Sequence, residues 1–557
     1  MRTLRDLALI SMAAFLAACG TSNTMMDVAT PDVSSDATDA SDAPAVADVT
    51  DVVTPAPMIV LPEGTLRGRL GTGFQEYLGI PYAAPPVGPL RWMPPQPPAH
   101  WTGVRDALTT PSHCPQSLVG APSGDEDCLY INVDLPDPMP HNAPVMVWIH
   151  GGAFTLGEGV QADGGTKGDV LASTRGVVVV SMNYRLGALG FMSHPALTAE
   201  GGGHSGNYGF LDQRFALQWV HDHIAAFGGD PANVTLFGES AGGISVCAHL
   251  ASPMSTGLFQ RAIVESGPCG LPVPTLALGE AQGQRVSTAL GCNTPATAAS
   301  CMRAATVAEV MAALPSPPSV ISTDPMYASW GPVIDGAFFP QAPMALFRAG
   351  TFQHVPVMFG WNHDEGTLFV SLANATALTA DQYPAAVLAM MSGDTTRANQ
   401  VVAHYPLSAY PSPWQTYAAA LGDFVIKCPA RRTLIAMTPF LTSVHAYEFT
   451  YPNAGFLLAS TVPLGAFHSA EVQFIFGHPG RIGHQRFTGD EETLHQAMMG
   501  YWTRFAVTND PNGESAVNWP AFTMTSDTSL QLDVMQQPEM NVSATACAFW
   551  EGLGVYP

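Results

Sequence analysis

Lysine is nearly absent from the 557-residue chain, where it occurs only at Lys167 and Lys427. Lysine and arginine together number 21 against 45 aspartates and glutamates, so the formal net charge at pH 7 is −24. Binding of nucleic acid requires clustered cations that neutralise phosphates, and anionic lipid surfaces attract basic segments. The charge balance therefore predicts no nucleic-acid partner and no electrostatic attachment to a membrane.

Metal-binding patterns are also absent, because no histidine pair or cysteine cluster has the spacing of metal ligands. We expect no metal ion and no cofactor.

The sequence contains no internal repeats. Only 12% of the residues are charged while 47% are apolar, and a chain of this length and composition can bury a large core.

The N-terminus has the features of an export signal. Arg2 and Arg5 precede the apolar residues 7–18, a run too short to span a bilayer. Its end, Leu-Ala-Ala-Cys at 16–19, resembles the lipobox of bacterial lipoproteins, in which the cysteine is acylated. We interpret residues 1–18 as a lipoprotein-type signal and Cys19 as the lipidation site, which would be the only membrane attachment. An ordinary cleaved secretory signal is the alternative, and either signal predicts export.

Gly20 follows the cysteine, which favours delivery to the outer membrane or cell surface if the host has two membranes.

The amino-acid composition changes after this signal. Residues 19–57 contain no lysine or arginine and are rich in Asp, Ala, Val, Thr and Ser. Such a segment buries too little apolar surface to fold, so it is predicted to be a disordered acidic tether. Residues 58–557 are left as the folded domain.

The folded part alternates short apolar runs with longer helix-compatible stretches, which predicts an α/β protein. Continuous β-branched runs indicate strands buried on both faces, as in a mainly parallel central sheet with helices on both faces. A helix is expected over 211–227, where Gly-Gly-Asp-Pro at 228–231 ends it. The candidate strands are 145–149, 177–181, 234–237, 262–264, 355–359 and 444–449.

A Gly-x-Ser-x-Gly pentapeptide occupies residues 238–242, directly after the candidate strand 234–237. A strand that ends in this pentapeptide turns sharply into a helix, here over 241–250, and holds Ser240 exposed at the edge of the sheet. Short patterns of this kind also occur by chance in a glycine-rich chain. The interpretation of Ser240 as a nucleophile therefore depends on finding the rest of a hydrolytic site.

A candidate oxyanion hole follows the strand 145–149. Serine needs a base to accept its proton, and the tetrahedral intermediate needs amide donors directed at its oxyanion. The sequence His-Gly-Gly-Ala at 150–153 supplies small residues whose N–H groups can approach a substrate closely. We expect the amides of Gly152, Ala153 and Ala241 to form a hole with three donors. A plain strand-to-loop turn is the structural alternative.

Together these segments resemble the type-B carboxylesterase family, which includes cholinesterases, bacterial p-nitrobenzyl esterases and some fungal lipases. The resemblance covers nearly all of 61–552 and implies the α/β-hydrolase fold. The segments that carry it are Tyr-Leu-Gly-Ile-Pro-Tyr-Ala at 77–83, Glu-Asp-Cys-Leu-Tyr-Ile-Asn-Val at 126–133, Asn-Tyr-Arg-Leu-Gly at 183–187, Gly-Asn-Tyr-Gly-Phe-Leu-Asp-Gln at 206–213 and the nucleophile segment 227–243.

The resemblance also implies the remaining members of the site. The family's acid is a glutamate just before a glycine, which corresponds to Glu365 in 362–366, while Asp364 fits less well. The base corresponds to His468, which precedes a Phe-Ile-Phe-Gly stretch at 474–477. The order Ser240, Glu365, His468 is the order of an α/β-hydrolase triad. Supporting roles are implied for Ser266 and Glu471 around the acid and base, and Glu239 is expected to pack beside the elbow.

The cysteines fit export, because disulfides persist outside the reducing cytoplasm. By resemblance to cholinesterase-like members, Cys114 pairs with Cys128, Cys292 with Cys301, and Cys428 with Cys547. Cys247 and Cys269 are expected to be buried free thiols.

Departures from the cholinesterase pattern bear on the substrate. Cholinesterases hold a cation over a tryptophan in the first disulfide loop, but none of the thirteen residues between Cys114 and Cys128 is tryptophan. Leu368 also stands where the pattern has an aromatic residue. Met326 and Ala328 replace bulky phenylalanines of the acyl-pocket segment, which implies room for acyl groups larger than acetyl.

The sequence thus favours a serine carboxylesterase for short- to medium-chain acyl or aryl esters. A lipase acting on longer-chain lipid esters is the first alternative. A non-catalytic adhesion protein is the second, and it is disfavoured because Ser240, Glu365 and His468 are all present. The natural ester and the oligomeric state do not follow from the sequence.

Overall fold

The computed structural model describes residues 56–117, 121–161, 164–314, 330–373, 375–452, 454–455, 462–480, 486–513 and 516–556. The signal at 1–18, Cys19 and all of the tether except residues 56 and 57 lie outside these ranges. So do the acyl-pocket candidates Met326 and Ala328. Residues 56–557 form one compact unit.

The strands in chain order are β1 Met58–Leu61, β2 Gly64–Arg67, β3 Arg69–Leu70, β4 Phe74–Pro81, β5 Val104–Asp106, β6 Tyr130–Pro136, β7 Ala143–Ile149, β8 Val178–Met182, β9 Gly229–Glu239, β10 Arg261–Glu265, β11 Val357–Asn362, β12 Val444–Phe449, β13 Thr528–Leu532 and β14 Gln537–Met540.

The α-helices are α1 Asp169–Arg175, α2 Gly187–Phe191, α3 Pro195–Glu200, α4 Tyr208–His223, α5 Ala241–Ala251, α6 Leu276–Ala289, α7 Ala298–Ala304, α8 Val307–Ala313, α9 Pro343–Ala349, α10 Glu365–Leu372, α11 Tyr383–Met390, α12 Thr395–His404, α13 Pro413–Gly422, α14 Cys428–Met437, α15 Val472–Phe476, α16 Asp490–Thr508 and α17 Ala544–Gly552. A π-helical turn, Asp423–Lys427, joins α13 to α14. Short 3-10 turns lie at Gly88–Leu90, Ile224–Phe227, Pro253–Ser255, Pro295–Thr297, Leu407–Ala409 and Thr438–Phe440.

An 11-stranded sheet forms the centre, in the order β14-β13-β12-β11-β10-β9-β7-β8-β6-β4-β3. Strands β8, β7, β9, β10, β11, β12 and β13 follow one another in this sheet and run parallel to one another. The flanking strands β6, β4, β3 and β14 are antiparallel. The expected architecture, a mainly parallel central sheet with helices on both faces, is confirmed. A separate 3-stranded sheet has the order β1-β2-β5.

Strand β7 shows why the runs in this sheet are continuously apolar. Val145 and Val147 belong to one buried cluster, while Met146 and Trp148 belong to another on the opposite face of the sheet. Helices α4 and α5 contribute to the first cluster, and α15 and α16 to the second. Because both faces of the sheet are covered by helices, polar alternation is lost, as expected for a buried parallel strand.

The predicted elements are present with shifted ends. The helix expected over 211–227 begins earlier, as Tyr208–His223, and a 3-10 turn completes it. The strand that leads to the pentapeptide is longer than expected, Gly229–Glu239. Strand β11 begins only at Val357, directly after Pro356, whose missing N–H cannot join a ladder.

Two segments that carry the family resemblance are joined by a buried ion pair. Arg185 donates from Nε and Nη2 to the two carboxylate oxygens of Asp212, each at 2.7 Å, and its backbone N–H also bonds Asp212. Both side chains are almost fully buried. The bidentate geometry offsets the cost of burying the charges, and it fixes the loop after β8 to α4.

Four disulfides link the described cysteines. Cys114–Cys128, Cys292–Cys301 and Cys428–Cys547 are bonded, and so are Cys247 and Cys269. The expectation that Cys247 and Cys269 are free thiols is therefore wrong. Their Cα atoms are 6.2 Å apart, within bonding reach, because α5 packs against the loop that follows β10. Sequence separation alone does not reveal this contact.

Among the described residues, no helix combines the length and the apolar character needed to cross a bilayer.

Candidate active site

Ser240 lies at the turn between β9 and α5, with φ 58° and ψ −120°. A non-glycine residue with positive φ is uncommon, and such a conformation is kept only where the surrounding structure enforces it. The Ser240 amide donates to the carbonyl of Glu265 at 2.9 Å, which ties the turn to the end of β10. The geometry is that of a strand-to-helix elbow that presents its side chain.

The glycines of the pentapeptide allow this turn to pack against the end of β7. A Cβ atom on Gly238 would lie 2.6 Å from the Ile149 carbonyl oxygen, and one on Gly242 only 2.0 Å from it. A Cβ atom on Gly151 would lie 3.1 Å from the Ser240 Cβ. The elbow and the loop after β7 can therefore meet only because these positions lack side chains.

Glu365 is the first residue of α10, and its carboxylate is fully buried. Its Oε1 accepts hydrogen bonds from the Asn362 amide and the Ser266 hydroxyl, both at 2.7 Å. Its Oε2 accepts from His468 Nδ1 at 2.5 Å. These donors orient the carboxylate towards the imidazole and leave Nε2 directed to the opposite side.

Asp364, the weaker candidate for the acid, does not contact His468. Its Oδ2 accepts from the Ala466 amide at 2.9 Å, and its Oδ1 is 3.0 Å from His363 Nδ1. Its side chain thus supports the segment before the histidine.

The Nε2 atom of His468 faces Glu239. It lies 3.1 Å from Glu239 Oε1, and among the described residues it has no hydrogen-bond partner. The structure thus brings Glu365 and His468 together without a hydrogen bond between His468 and the Ser240 hydroxyl.

Buried carboxylates surround the imidazole. Burial raises the pKa of Glu239, although the charge of His468 and a hydrogen bond from Ser469 oppose the shift. Burial also raises the pKa of Glu471 well above its usual range, and the charges of Glu239, Glu265 and Glu365 raise it further. Glu471 accepts a short hydrogen bond from Asn362 Nδ2, and its Oε1 is 3.5 Å from the Ser266 hydroxyl.

These carboxylates decide the protonation of His468. Burial by itself lowers the pKa of the imidazole, but the charges of Glu239 and Glu365, the hydrogen bond to Glu365 and the charge of Glu471 outweigh burial and raise the pKa to about 9. The resting site therefore favours the imidazolium at neutral pH.

The loop after β7 has an unusual backbone. Gly152, Ala153 and Phe154 have φ values of 99°, 53° and 59°. Consecutive residues outside the usual helical and extended regions can turn their N–H groups towards one side of a loop. Gln116, from the first disulfide loop, fixes the far end by exchanging two hydrogen bonds of 2.9 Å with the backbone of Gly157.

His150, just before these glycines, has a structural environment. Its ring stacks on Tyr184 with centroids 4.4 Å apart, and its Nδ1 contacts the Gly151 carbonyl at 2.8 Å. Burial lowers the pKa of His150 to about 4, so its imidazole is neutral near pH 7.

Several neighbours of the site were not found from the sequence. Trp502 donates from Nε1 to Glu265 Oε1 at 2.7 Å, and burial raises the pKa of Glu265 to about 8 although this bond opposes the shift. Phe369 packs against the His468 ring with centroids 4.8 Å apart. Its neighbour Leu368 belongs instead to the buried apolar cluster that also contains Trp148. Glu265 directly precedes Ser266, and Phe369 follows Glu365 by about one helical turn, so the sequence could have pointed to both. Trp502 is too distant along the chain for any local signal.

Within the described ranges, no group of three or more His, Cys, Asp or Glu side chains is arranged to hold a metal ion.

Similarity to known proteins extends over most of the chain. A model of the family described as "Carboxylesterase family" matches residues 55–550. The chain is 34% identical over 521 residues to the acylcarnitine hydrolase of Mus musculus, which covers 86% of this chain and 86% of that protein. It is also 34% identical over 539 residues to the cholinesterase of Mus musculus, covering 88% and 86% of the two chains.

Proposed function

Because the chain belongs to the carboxylesterase family, whose chemistry is hydrolysis of carboxylic esters, we propose that it is a serine esterase with Ser240 as nucleophile, His468 as base and Glu365 as acid. The observation that carries the proposal is the 2.5 Å hydrogen bond from His468 Nδ1 to Glu365. This bond orients Nε2 away from the acid. The strained elbow at Ser240 supports the same assignment.

Acylation begins when neutral His468 accepts the Ser240 proton at Nε2 while the serine oxygen attacks the ester carbonyl. The imidazolium that results is stabilised by Glu365, whose carboxylate is itself held by Asn362 and Ser266. Collapse of the tetrahedral intermediate breaks the ester C–O bond, and His468 returns the proton to the departing alcohol.

Deacylation repeats these steps with water. His468 removes a proton from the water as its oxygen attacks the acyl carbonyl, and the proton then passes to Ser240 as the acid product leaves. The amides of Gly152, Ala153 and Ala241 stabilise the oxyanion during both acylation and deacylation. Loss of one such donor typically lowers kcat by about 10²–10³.

The substrate class proposed is a short- to medium-chain acyl or aryl ester. The two relatives are named for different substrates, acylcarnitine and choline esters, so their names do not select one. Kinetics on p-nitrophenyl esters of increasing acyl length, beside an emulsified long-chain triglyceride, would decide between this class and lipid esters.

We further propose that the protein is exported and attached to a membrane only through a lipid on Cys19. The disulfides among the described cysteines support an oxidising compartment. Mass spectrometry of the mature N-terminus would test the lipid, and an unmodified N-terminus after cleavage would favour a secreted protein.

Labelling with a fluorophosphonate probe tests the nucleophile directly. The wild-type protein should be labelled and hydrolyse p-nitrophenyl butyrate, and Ser240→Ala should lose both. Ser300→Ala is a matched control, since this exposed serine only bonds the backbone of Thr297, and it should retain both. Labelling or turnover that survives in Ser240→Ala would refute the assignment.

A further inference from the structure

Ser469, the residue after His468, has an unusual backbone and a specific contact. Its φ is 70°, a left-handed conformation that L side chains rarely adopt and that would cost a glycine nothing. Its hydroxyl donates to Glu239 Oε1 at 2.5 Å. Strain at a serine that also forms a short hydrogen bond to a buried carboxylate points to a role for the hydroxyl.

The oxygen that accepts this hydrogen bond is the one that faces the imidazole. Glu239 Oε1 lies 3.1 Å from His468 Nε2, so the Ser469 hydroxyl and the imidazole both approach one carboxylate oxygen. Nε2 is also the atom that must accept the Ser240 proton if the proposed function is correct. Any proton that Nε2 shares with Glu239 is directed away from Ser240.

We propose that Ser469 is a positioning residue for the base: its hydroxyl occupies Glu239 Oε1, weakens the contact between Glu239 and His468, and thereby leaves Nε2 available to Ser240. This inference rests on the proposed function, because it assigns a role within the same site. Ser469 acts through Glu239 and does not itself touch the reacting atoms.

The other charged groups around His468 are carboxylates. Glu365 at the start of α10 bonds Nδ1, and the charge of Glu471, just before α15, also acts on the imidazole. Glu265 at the end of β10 interacts electrostatically with Glu239 and Glu471. The Ser469 hydrogen bond stabilises the charged form of Glu239 and so lowers its pKa against the effect of burial. The hydroxyl also presents the positive end of its dipole to Oε1, so the ionised Glu239 acts less strongly on the imidazolium.

Removal of the hydroxyl should raise the pH at which the enzyme becomes active. In Ser469→Ala, the full charge of Glu239 Oε1 faces Nε2, so the imidazolium is stabilised and the acidic limb of kcat/KM moves to higher pH by about 0.5–1 unit. Glu239→Gln should move the limb the other way, because it removes a negative charge next to the imidazole.

The experiment compares pH profiles of kcat/KM for wild type, Ser469→Ala, Ser469→Gly, Glu239→Gln and the double variant Ser469→Ala/Glu239→Gln. Glycine removes the hydroxyl and also relieves the left-handed backbone, so the alanine and glycine variants should share one shift although their Tm values differ. In the Glu239→Gln background, removal of the hydroxyl should have no further effect on the profile. Three outcomes would each overturn the proposal. They are unaltered profiles in both single Ser469 variants, a shift of these variants to lower pH, and a shift on removal of the hydroxyl that persists in the Glu239→Gln background.

A second readout does not depend on ester turnover. The imidazole pKa of His468 can be followed by NMR of protein labelled with ¹³C-histidine, with the resonance assigned by its loss in His468→Gln. The same upward shift is expected in Ser469→Ala. If the protein hydrolyses no ester but this shift is present, the proposed function fails while the contact through Glu239 stands. If hydrolysis is normal and the pKa does not move, the role of Ser469 fails alone.

Discussion

Asp364 and Phe467 form an isolated parallel β-bridge, outside the central sheet. Each is the residue immediately before a proposed member of the triad, Glu365 and His468. The Asp364 amide donates to the Ala466 carbonyl at 2.9 Å, and the Ala466 amide donates back to Asp364 Oδ2 at 2.9 Å. Two segments about a hundred residues apart are thus registered by backbone pairing, which places the acid against the base.

Asp364→Ala should lower kcat by about tenfold with a smaller effect on KM, because the Ala466 amide loses its acceptor and the acid and base segments shift relative to each other. Asp364→Asn is the matched control, since its amide oxygen can still accept the Ala466 hydrogen bond. Steady-state kinetics of the two variants measure the difference. Equal losses in both would mean that the charge matters and the backbone registration does not.

Ester hydrolysis should be more active at alkaline than at neutral pH. The neighbouring carboxylates raise the pKa of His468 to about 9, and the base must be neutral to accept the Ser240 proton. The acidic limb of kcat/KM, which reports the free enzyme, should therefore lie above the ordinary histidine value of about 6.5.

The same shift has a consequence for stability. Because the pKa of the His468 imidazole is higher in the folded than in the unfolded protein, its protonation stabilises the native state. This contribution is complete below the unfolded pKa of about 6.5 and is lost as pH rises through the folded pKa of about 9. Denaturant unfolding of wild type and His468→Gln across this window should show a difference that shrinks at high pH. A kcat/KM limb at or below the ordinary histidine value would contradict both expectations.

Removal of three of the four disulfides, one at a time by paired alanine substitutions, should destabilise the protein in the order of the lengths of the loops that they close. The separations are 119 residues for Cys428–Cys547, 22 for Cys247–Cys269 and 9 for Cys292–Cys301. Loop-closure entropy predicts losses of about 5, 3 and 2.5 kcal/mol respectively. Urea unfolding would measure them, and a different order would show that native packing outweighs chain entropy.

The Cys247–Cys269 pair should have an additional effect on activity. It joins α5, which begins after Ser240, to the loop after Ser266, so its removal should lower kcat as well as stability. The Cys292–Cys301 variant serves as the control, with kcat unchanged at a temperature where both proteins are folded. A kcat that is unaffected in both would show that α5 is fixed by packing alone.

Gly242→Ala should be destabilising by about 1–3 kcal/mol and should impair hydrolysis, because the new methyl group would overlap the Ile149 backbone. Gly552→Ala is the control. It lies at the end of α17, and a Cβ atom there would meet nothing within 4 Å, so this substitution should be neutral or stabilising by up to about 1 kcal/mol. Measurements of Tm and kcat for both variants test the expectation. A stable and active Gly242→Ala protein would mean that the elbow can move away from β7.

The sequence by itself determined the family, the α/β class and the positions of Ser240, Glu365 and His468 as candidates. Local patterns suffice for the α/β class and for Ser240, because a buried parallel strand must be continuously apolar and an elbow must have small residues around its serine. Glu365 and His468 follow instead from the resemblance to the family. The pairings Cys114–Cys128, Cys292–Cys301 and Cys428–Cys547 also follow from the sequence, through resemblance and not through geometry.

Only the tertiary structure decided which side chains meet. The Cys247–Cys269 bond, the contact of Trp502 with Glu265, and the hydrogen bond of Ser469 to Glu239 all join residues brought together by the packing of separate elements. The protonation of His468 belongs to the same class of facts. It depends on several buried carboxylates that converge from different strands and helices, and electrostatic interaction depends on distance in space, which the order of residues along the chain does not contain.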